Sequence, residues 1–180
     1  MPFKKVLLVK PSGRHGLSYA FDLIPTGLEY LAASLEGIVD EVAILDLEME
    51  NRPPMEALSD ALKVMRPDLV GITMSATEHG EGLAIARMAK DHGAYVLMGG
   101  YHPTAIPDEL LSHPQVDMVV RGEGEMTIRE IVLKGGPQGV NGVSYKENGN
   151  IVHNPDREFI EDYLHRKYFV PPQGTLISIW

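Results

Sequence analysis

The sequence predicts an α/β fold in which a doubly wound, five-stranded parallel sheet is followed by a C-terminal β-hairpin and a linker. Two observations support this prediction. Short apolar segments alternate five times with longer segments whose apolar residues recur at helical spacing. The short segments are continuously apolar, which is typical of parallel strands that helices cover on both faces. Such alternation produces Rossmann-like or flavodoxin-like sheets with right-handed crossovers.

The five strands are predicted where apolar residues stand together between polar or turn-forming residues. The segments are Val6–Val9, Val42–Leu45, Leu69–Met74, Tyr95–Met98 and Met118–Val120. Continuous apolar segments this short suit strands of a sheet that is buried on both faces.

Three of the intervening segments carry an apolar stripe at helical spacing, which predicts helices that pack on the sheet. The stripes are Leu28, Leu31, Ala32 and Leu35; Leu58, Ala61, Leu62 and Met65; and, less purely, Ile85, Met88, Ala89 and His92. Ser75 with Glu78 is a predicted capping box. Gly37 and Gly93 stand where helices commonly end in a left-handed residue.

The pattern changes near Lys134, where a cluster of glycine and proline residues begins. Beyond it, an alternating segment surrounds Asn148 and Gly149, a pair typical of a two-residue hairpin turn. We therefore divide the chain into an α/β domain, residues 1–135, and a hairpin with linker, residues 136–180. The apolar end, Leu176–Trp180, is unusual for a chain terminus and is expected to favour association with a partner.

Composition excludes several classes of function. The 180 residues carry a formal net charge of −9, which argues against a nucleic-acid partner. There is no cysteine, so disulfides, cysteine nucleophiles and cysteine-ligated iron–sulfur clusters are excluded within this chain. The lack of cysteine also leads us to expect a cytoplasmic protein. No apolar run approaches the ~18 residues that span a membrane.

Ligands of open α/β sheets bind beyond the carboxyl ends of the strands, so the loops there are the candidate site. The first loop, residues 10–25, is long and contains Ser12, Gly13, Arg14 and His15. It is interpreted either as a surface loop without function or as a ligand-binding loop.

The loop after the third strand contains Ser75 and Thr77, which either cap a helix or offer hydroxyls to a ligand. The fourth strand ends in a double glycine followed by an aromatic residue and a histidine, and this predicts a tight turn or space for a large flat ligand. The residues of that stretch are Gly99, Gly100, Tyr101 and His102.

After the fifth strand, Gly122, Glu123, Gly124 and Glu125 resemble a phosphate-binding loop only superficially. The two glutamates would repel a phosphate, and their alternative role is to favour the dipole of the following helix. The sequence has no dinucleotide-binding glycine motif after the first strand, no P-loop and no nucleophile elbow. No catalytic residue and no metal ligand is assigned.

Five stretches, in the order IPTGLEYLAASLE, PDLVGITMSAT, VLMGGYHPTAIPDELL, DMVVRGEGEMTIREIV and NGVSYKENGNIV, resemble one family over essentially the whole chain. They are similar to the N-terminal half of cobalamin-dependent radical S-adenosylmethionine enzymes. The subgroup resembled contains the anaerobic magnesium-protoporphyrin monomethyl ester cyclase and many methylases. The motifs GG-x-H-P-T and V-x-G-E-G-E are fairly specific together and weak separately.

The resemblance implies a cobalamin-binding domain. A 4Fe-4S cluster and S-adenosylmethionine would belong to a C-terminal barrel that this chain lacks, so the chain alone is expected to be inactive. Cobalamin and that barrel are the implied partners. The corrin would lie over the carboxyl edge of the sheet, with its nucleotide tail beside Gly99 and Gly100. Ser75 and Thr77 would meet the tail. Substitution of Gly100 by Trp is then expected to abolish binding without unfolding the chain.

The same resemblance implies that the loop from Ser12 would face the lower side of the corrin and that residues 122–125 would line the far rim. Related modules carry D-x-H-x-x-G after the first strand, and its histidine ligates cobalt. Here Gly13 replaces the aspartate and Ser18 the glycine, so His15 is expected to be a poor ligand. Tyr101 fills a position where proline is often found.

Two other functions stay open from the sequence. The domain is alternatively a docking scaffold of the same architecture that binds no corrinoid. A small-molecule sensor that uses the same crevice is a third interpretation. Retention of a corrinoid separates the first function from these two.

Overall fold

The computed structural model describes residues 3–13 and 26–158. The strands are β1 (Lys5–Lys10), β2 (Glu41–Asp46), β3 (Leu69–Thr73), β4 (Tyr95–Gly99), β5 (Met118–Val120), β6 (Val143–Glu147) and β7 (Asn150–His153). The helices are α1 (Thr26–Leu35), α2 (Pro54–Met65), α3 (His79–Asp91), α4 (Tyr101–Ala105), α5 (Pro107–Ser112) and α6 (Glu125–Lys134), and a short 3-10 helix spans Ala76–Glu78.

The strands form one sheet in the order β2-β1-β3-β4-β5-β6-β7. β1 to β5 are parallel, which confirms the five predicted strands and the doubly wound fold. From β1 the chain crosses to β2, which lies at one edge of the sheet. From β3 it crosses in the other direction, to β4 and then towards the opposite edge of the sheet. The carboxyl ends of β1 and β3 therefore flank the switch point, where ligands of such sheets bind.

The hairpin extends this sheet. Asn148 and Gly149 have φ values of 52° and 80°, the left-handed conformations of the predicted two-residue turn. β6 pairs antiparallel with β5, and β7 pairs antiparallel with β6. Val143 and Tyr145 of β6 are buried in the core beside β5. The sheet thus has seven strands where the sequence indicated five and a hairpin, and the division at residue 135 stays a prediction.

The core lies in two layers because successive strand residues point to opposite faces. Leu7 and Val9 pack with α2, α3 and α5, on what we call the α2–α3 face. Val6 and Leu8 pack with α1 and α6, on the α1–α6 face. The predicted helical stripes supply these layers, except that His92 at the end of the third stripe is exposed.

Helix ends follow the local signals in the sequence. Gly37 and Gly93 have φ values of 69° and 87° after α1 and α3, as predicted. Ser75 and Glu78 form the predicted capping box at the 3-10 helix that precedes α3. Among the described residues, no helix combines the length and the apolar character needed to cross a membrane.

Candidate functional site at the carboxyl edge of the sheet

The loops that follow β1, β3, β4 and β5 meet at one edge, since these strands are parallel and adjacent. We call this edge, with its loops and the first turns of the helices that follow them, the carboxyl edge. The structure brings Ser12, Gly13, Ser75, Thr77 and residues 99–102 and 122–125 to it. Arg14, His15 and the apolar end, Leu176–Trp180, lie outside the described residues.

The loop after β1 is held by a residue that the sequence did not single out. The Glu81 carboxylate accepts hydrogen bonds from the Ser12 amide at 2.9 Å and from the Ser12 hydroxyl at 2.7 Å. Its second oxygen accepts a hydrogen bond from the Gly13 amide at 3.3 Å. Glu81 lies in the first turn of α3, so this contact joins the loop after β1 to the helix after β3.

The loop after β3 offers two exposed hydroxyls. Ser75 Oγ and Thr77 Oγ1 lie 3.0 Å apart and share a hydrogen bond. The Ser75 amide donates to the Glu78 carboxylate at 2.6 Å, as the capping box requires. The capping box also includes a hydrogen bond from the Glu78 amide to the Ser75 hydroxyl, and Ser75 and Thr77 are nevertheless exposed at the carboxyl edge.

The two glycines that end β4 differ in their surroundings. Gly100 has φ 104° and ψ −176°, a conformation that essentially only glycine adopts. A Cβ atom there would lie 3.0 Å from Thr73 Oγ1 and 3.4 Å from the Met74 carbonyl oxygen. Gly100 therefore serves the close approach of β3 and β4, and Gly100→Trp is expected to strain the fold.

Gly99 has room for a Cβ atom without a close contact. A Cβ atom at this position would find its nearest neighbours at 3.9 Å, the Cβ and carbonyl oxygen of Val120. Gly99 shares its face with Leu97, which packs on the α1–α6 face. Leu31 of α1 lies above the edge on this face, since a Cβ atom on Gly124 would lie 3.0 Å from its Cδ2 atom. We call the stretch of Thr73, Gly99 and Val120 the glycine floor.

Tyr101 and His102 point to different surroundings. Tyr101 is 98% exposed at the carboxyl edge. His102 Nε2 lies 3.0 Å from Nδ1 of His79 in the first turn of α3, and the two rings meet edge to face. Glu109 is 3.9 Å from the other nitrogen of His79. Within residues 3–13 and 26–158, no group of three or more His, Asp or Glu side chains could hold a metal ion.

Thr104 connects two of the loops. Its hydroxyl donates to the Gly100 carbonyl at 2.8 Å and accepts from the Gly122 amide at 3.1 Å. Gly122 has φ 73°. Glu125 begins α6 and is buried. Thr104 is the last residue of the GG-x-H-P-T motif, and that motif is the one sequence signal that pointed to it.

A buried ion pair borders the edge beside the switch point. Lys10 lies opposite Asp46 in the register of β1 and β2, with 3.5 Å between Nζ and Oδ1, and also contacts Glu48. Burial raises the pKa of Asp46, and Lys10 offsets this only in part. Burial also opposes the charge of Lys10, but Glu48 and Asp46 outweigh it and raise the lysine pKa. Lys10 is therefore a cation at neutral pH.

A serine, a histidine and an aspartate lie in contact near the end of β5. Ser144 Oγ is 2.8 Å from Nδ1 of His153, whose Nε2 is 3.0 Å from Asp108. Ser144 is fully buried and also accepts a hydrogen bond from Arg121. A nucleophile must reach its substrate, so this arrangement is structural rather than catalytic.

Arg121 also fixes the chain that follows the hairpin. Its guanidinium donates to the Asn154 carbonyl at 2.6 Å and to Asp156 at 2.8 Å. Arg157 continues this attachment, since it donates to Thr127 at 2.9 Å and pairs with Glu130 at 2.8 Å. Residues 154–157 therefore run along the first turns of α6, at the carboxyl edge.

The carboxyl edge combines a strand end without a side chain with exposed polar groups. The glycine floor leaves room beside the sheet, and the exposed Ser75 and Thr77 hydroxyls supply hydrogen-bond donors. A separate pocket of about 400 Å³ lies at the opposite edge, between Leu62, Arg66 and His92. It is formed by helix ends, and none of the candidate residues contributes to it.

Comparison with known proteins identifies one family. The sequence model of the B12 binding domain matches residues 16–132. An uncharacterized methyltransferase of Pyrococcus horikoshii is 35% identical over 174 residues, which cover 90% of this chain and 37% of that protein. The anaerobic magnesium-protoporphyrin IX monomethyl ester cyclase of Rubrivivax gelatinosus is 28% identical over 172 residues, 88% of this chain and 31% of the cyclase.

A solved structure has the same fold. It is that of the radical S-adenosylmethionine methyltransferase TsrM from Kitasatospora setae, with cobalamin and a [4Fe-4S] cluster bound. The TM-score is 0.71 at 23% sequence identity, and the match covers 87% of this chain and 30% of that one. The chain thus spans about a third of the length of each of these three proteins.

Proposed function

The chain belongs to the B12 binding domain family, and on this premise we propose that it is the cobalamin-binding part of a longer radical S-adenosylmethionine enzyme. Cobalamin is the ligand that the family name states, which confirms the cofactor expected from the sequence. The family match and the relatives do not favour the docking scaffold as an alternative.

The glycine floor is the observation that supports the proposal most directly. A planar macrocycle over the carboxyl edge needs space beside the sheet for its nucleotide tail, and Gly99 provides it without a side chain. The floor faces α1 and α6, so the tail would lie between these helices and the ends of β3 to β5. Ser75 and Thr77 would hydrogen-bond polar groups of the ligand, and Tyr101 would offer it an aromatic surface.

The other residues of the edge would orient and enclose the ligand. Ser12, Gly13, Arg14 and His15 would lie on its lower side, and residues 122–125 would form the far rim. His102 is the exception among the predicted binding residues, because its contact with His79 engages it on the α3 side. We expect it to support Gly100 and Tyr101 rather than to contact the ligand itself.

The chemistry of the whole protein is part of the proposal. Bound cobalamin supplies methyl transfer or assists a radical oxidation or cyclisation. The 4Fe-4S cluster and S-adenosylmethionine would reside in a C-terminal barrel beyond this chain, which has no cysteine to ligate a cluster. This division is supported by relatives about three times as long as the matched region. The absence of cysteine also fits a reducing, cytoplasmic location.

Corrinoid retention tests the proposed function. The purified 180-residue chain is incubated with hydroxocobalamin and desalted, and the visible spectrum of the protein fraction is recorded. We expect retained corrinoid with a base-off spectrum, because the tail would lie in the protein rather than on cobalt.

Cobinamide, which lacks the nucleotide tail, is the matched control and should be retained much more weakly. A colourless protein after incubation with hydroxocobalamin would contradict the proposal and favour the docking scaffold. Equal retention of cobinamide would contradict the placement of the tail on the glycine floor.

A further inference from the structure

Glu81 occupies a special place in the topology. The crossover from β1 runs over the α1–α6 face to β2, whereas the crossover from β3 runs over the α2–α3 face to β4. The crevice of the sheet opens where these two paths separate. Ser12 and Gly13 follow β1 on one side of the crevice, and Glu81 follows β3 on the other. Their contact is a side-chain bridge across the switch point.

The bridge uses both oxygens of the carboxylate. One oxygen accepts from the Ser12 amide and hydroxyl, and the other accepts from the Gly13 amide. Hydrogen bonds to an ionised acceptor are stronger than neutral ones. The residues that donate are buried, and Gly13 has φ 64°, a left-handed value suited to glycine. Ser12 and Gly13, the second and third residues beyond β1, are therefore fixed in one conformation.

We propose that Glu81 is a positioning residue for the corrinoid, one that fixes the start of the loop after β1 at the side of the crevice. This inference rests on the proposed function. Residues that a ligand contacts lose less conformational freedom on binding when they are already fixed, and Glu81 fixes Ser12 and Gly13 in this way. Glu81 does so from α3, so it couples the loop after β1 to the loop that carries Ser75 and Thr77.

Three substitutions distinguish the effect of side-chain length from the effect of side-chain charge. They are Glu81→Ala, Glu81→Gln and Glu81→Asp. Glutamine keeps an acceptor oxygen at the distance of Ser12 but places an NH2 donor opposite the Gly13 amide, whereas aspartate keeps the charge but is one methylene shorter. Glu56→Ala is the matched control, because Glu56 lies in the first turn of α2 in the same layer and has no contact with Ser12. The dissociation constant of hydroxocobalamin is measured for each chain, and amide hydrogen exchange of Ser12 and Gly13 is followed without ligand.

We expect Glu81→Ala and Glu81→Asp to weaken binding about tenfold or more, and Glu81→Gln to be intermediate, because it keeps the bonds from Ser12 and loses the bond from the Gly13 amide. Exchange at Ser12 and Gly13 should accelerate in the alanine and aspartate variants. Glu56→Ala should bind like the parent chain, since it tests only the loss of an acidic residue from a first helical turn.

Three results would overturn the inference alone. They are parent-like affinity in Glu81→Ala, parent-like affinity in Glu81→Asp, and unchanged exchange at Ser12 and Gly13 in the alanine variant. An equal loss of affinity in Glu56→Ala would also overturn it, because the bridge would then not be the cause. A parent chain that retains no corrinoid overturns the proposed function and this inference together.

Discussion

The hydroxyl of Thr104 accepts a hydrogen bond from the Gly122 amide at 3.1 Å. The same hydroxyl donates to the Gly100 carbonyl, so one side chain joins the loop after β4 to the loop after β5. These two loops are the ones on which the glycine floor and the far rim of the proposed site depend.

Thr104→Val should remove both hydrogen bonds at nearly constant volume. We expect a loss of about 0.5–1 kcal/mol in the free energy of unfolding, because the Gly122 amide loses this partner, whereas the Gly100 carbonyl keeps its hydrogen bond from the Thr104 amide at 3.1 Å. Corrinoid affinity should fall as well. Thr104→Ser keeps the hydroxyl and should stay close to the parent chain in both measurements, which are denaturant unfolding and corrinoid titration. A serine variant as weak as the valine variant would contradict this role.

Gly99→Val tests the glycine floor. The Cβ position has no neighbour closer than 3.9 Å and valine favours strands, so the unfolding midpoint should change little. Corrinoid retention after desalting should be lost, with Gly99→Ala intermediate. The placement of the tail would be refuted by a valine variant that folds and retains corrinoid like the parent chain.

Substitutions at Gly100, unlike those at Gly99, should destabilise the fold. Its φ of 104° and the 3.0 Å approach of a Cβ atom to Thr73 imply a cost of about 1–3 kcal/mol for Gly100→Ala. Gly100→Trp, which the sequence suggested as a test of binding without unfolding, should therefore lower the thermal midpoint. Thermal unfolding of Gly100→Ala and Gly99→Ala side by side checks the difference, and equal midpoints would contradict it.

Lys10→Met tests the buried ion pair beside the switch point. Asp46 is almost inaccessible, with 4% of its side chain exposed, and loss of its cation should cost about 2–3 kcal/mol at neutral pH. Because the folded-state pKa of Lys10 is raised, its contribution is complete below 10.5 and is lost as pH rises through the raised value. The variant should thus show a smaller loss of stability at alkaline pH.

Denaturant unfolding of parent and variant at neutral and strongly alkaline pH measures both effects. The second substitution Asp46→Asn should recover part of the neutral-pH loss, because burial raises the pKa of Asp46 and its charge is costly without Lys10. Parallel pH profiles of the parent chain and Lys10→Met would show that the pair contributes nothing to the alkaline transition.

His15→Ala should leave the spectrum of bound corrinoid nearly unchanged. This prediction comes from the sequence, since Gly13 stands where a carboxylate would orient the imidazole and His15 lies outside the described residues. The visible spectrum of the two loaded chains is the measurement. A clear shift of the absorption maxima would identify His15 as a ligand of cobalt.

The parallel part of the fold could be predicted because its signals are local. Continuous apolar segments such as Val6–Val9, and stripes such as Leu58 to Met65, encode burial within a few neighbouring residues. The pairing of β6 with β5 could not be predicted in this way. It depends on Val143 and Tyr145 meeting a strand more than 20 residues earlier, and no periodicity records that choice.

The candidate site likewise has residues that the sequence could single out and contacts that it could not predict. The positions of Gly99 and Gly100 at the end of β4 were visible in the sequence. The sequence could not show that a Cβ atom at Gly100 would crowd Thr73 whereas one at Gly99 would meet nothing closer than 3.9 Å. The role of Glu81 could not be predicted, because its partners lie 68 and 69 residues away in the sequence. In addition, an acidic residue in a first helical turn is already accounted for by the helix dipole. The contact of His79 with His102 could not be predicted either, because the two residues lie 23 positions apart in the sequence.

The attachment of residues 154–157 by Arg121 and Arg157 has a consequence for whatever the chain carries next. A segment tethered at a fixed point experiences a high effective concentration near that point, and the concentration falls steeply as the tether lengthens or its origin moves. Here the origin lies at the carboxyl edge, next to α6. Breaking the Arg121 contacts would release residues 154–157 from this origin, and so lower the effective concentration at the edge of whatever follows them, without altering Gly99, Ser75 or Thr77.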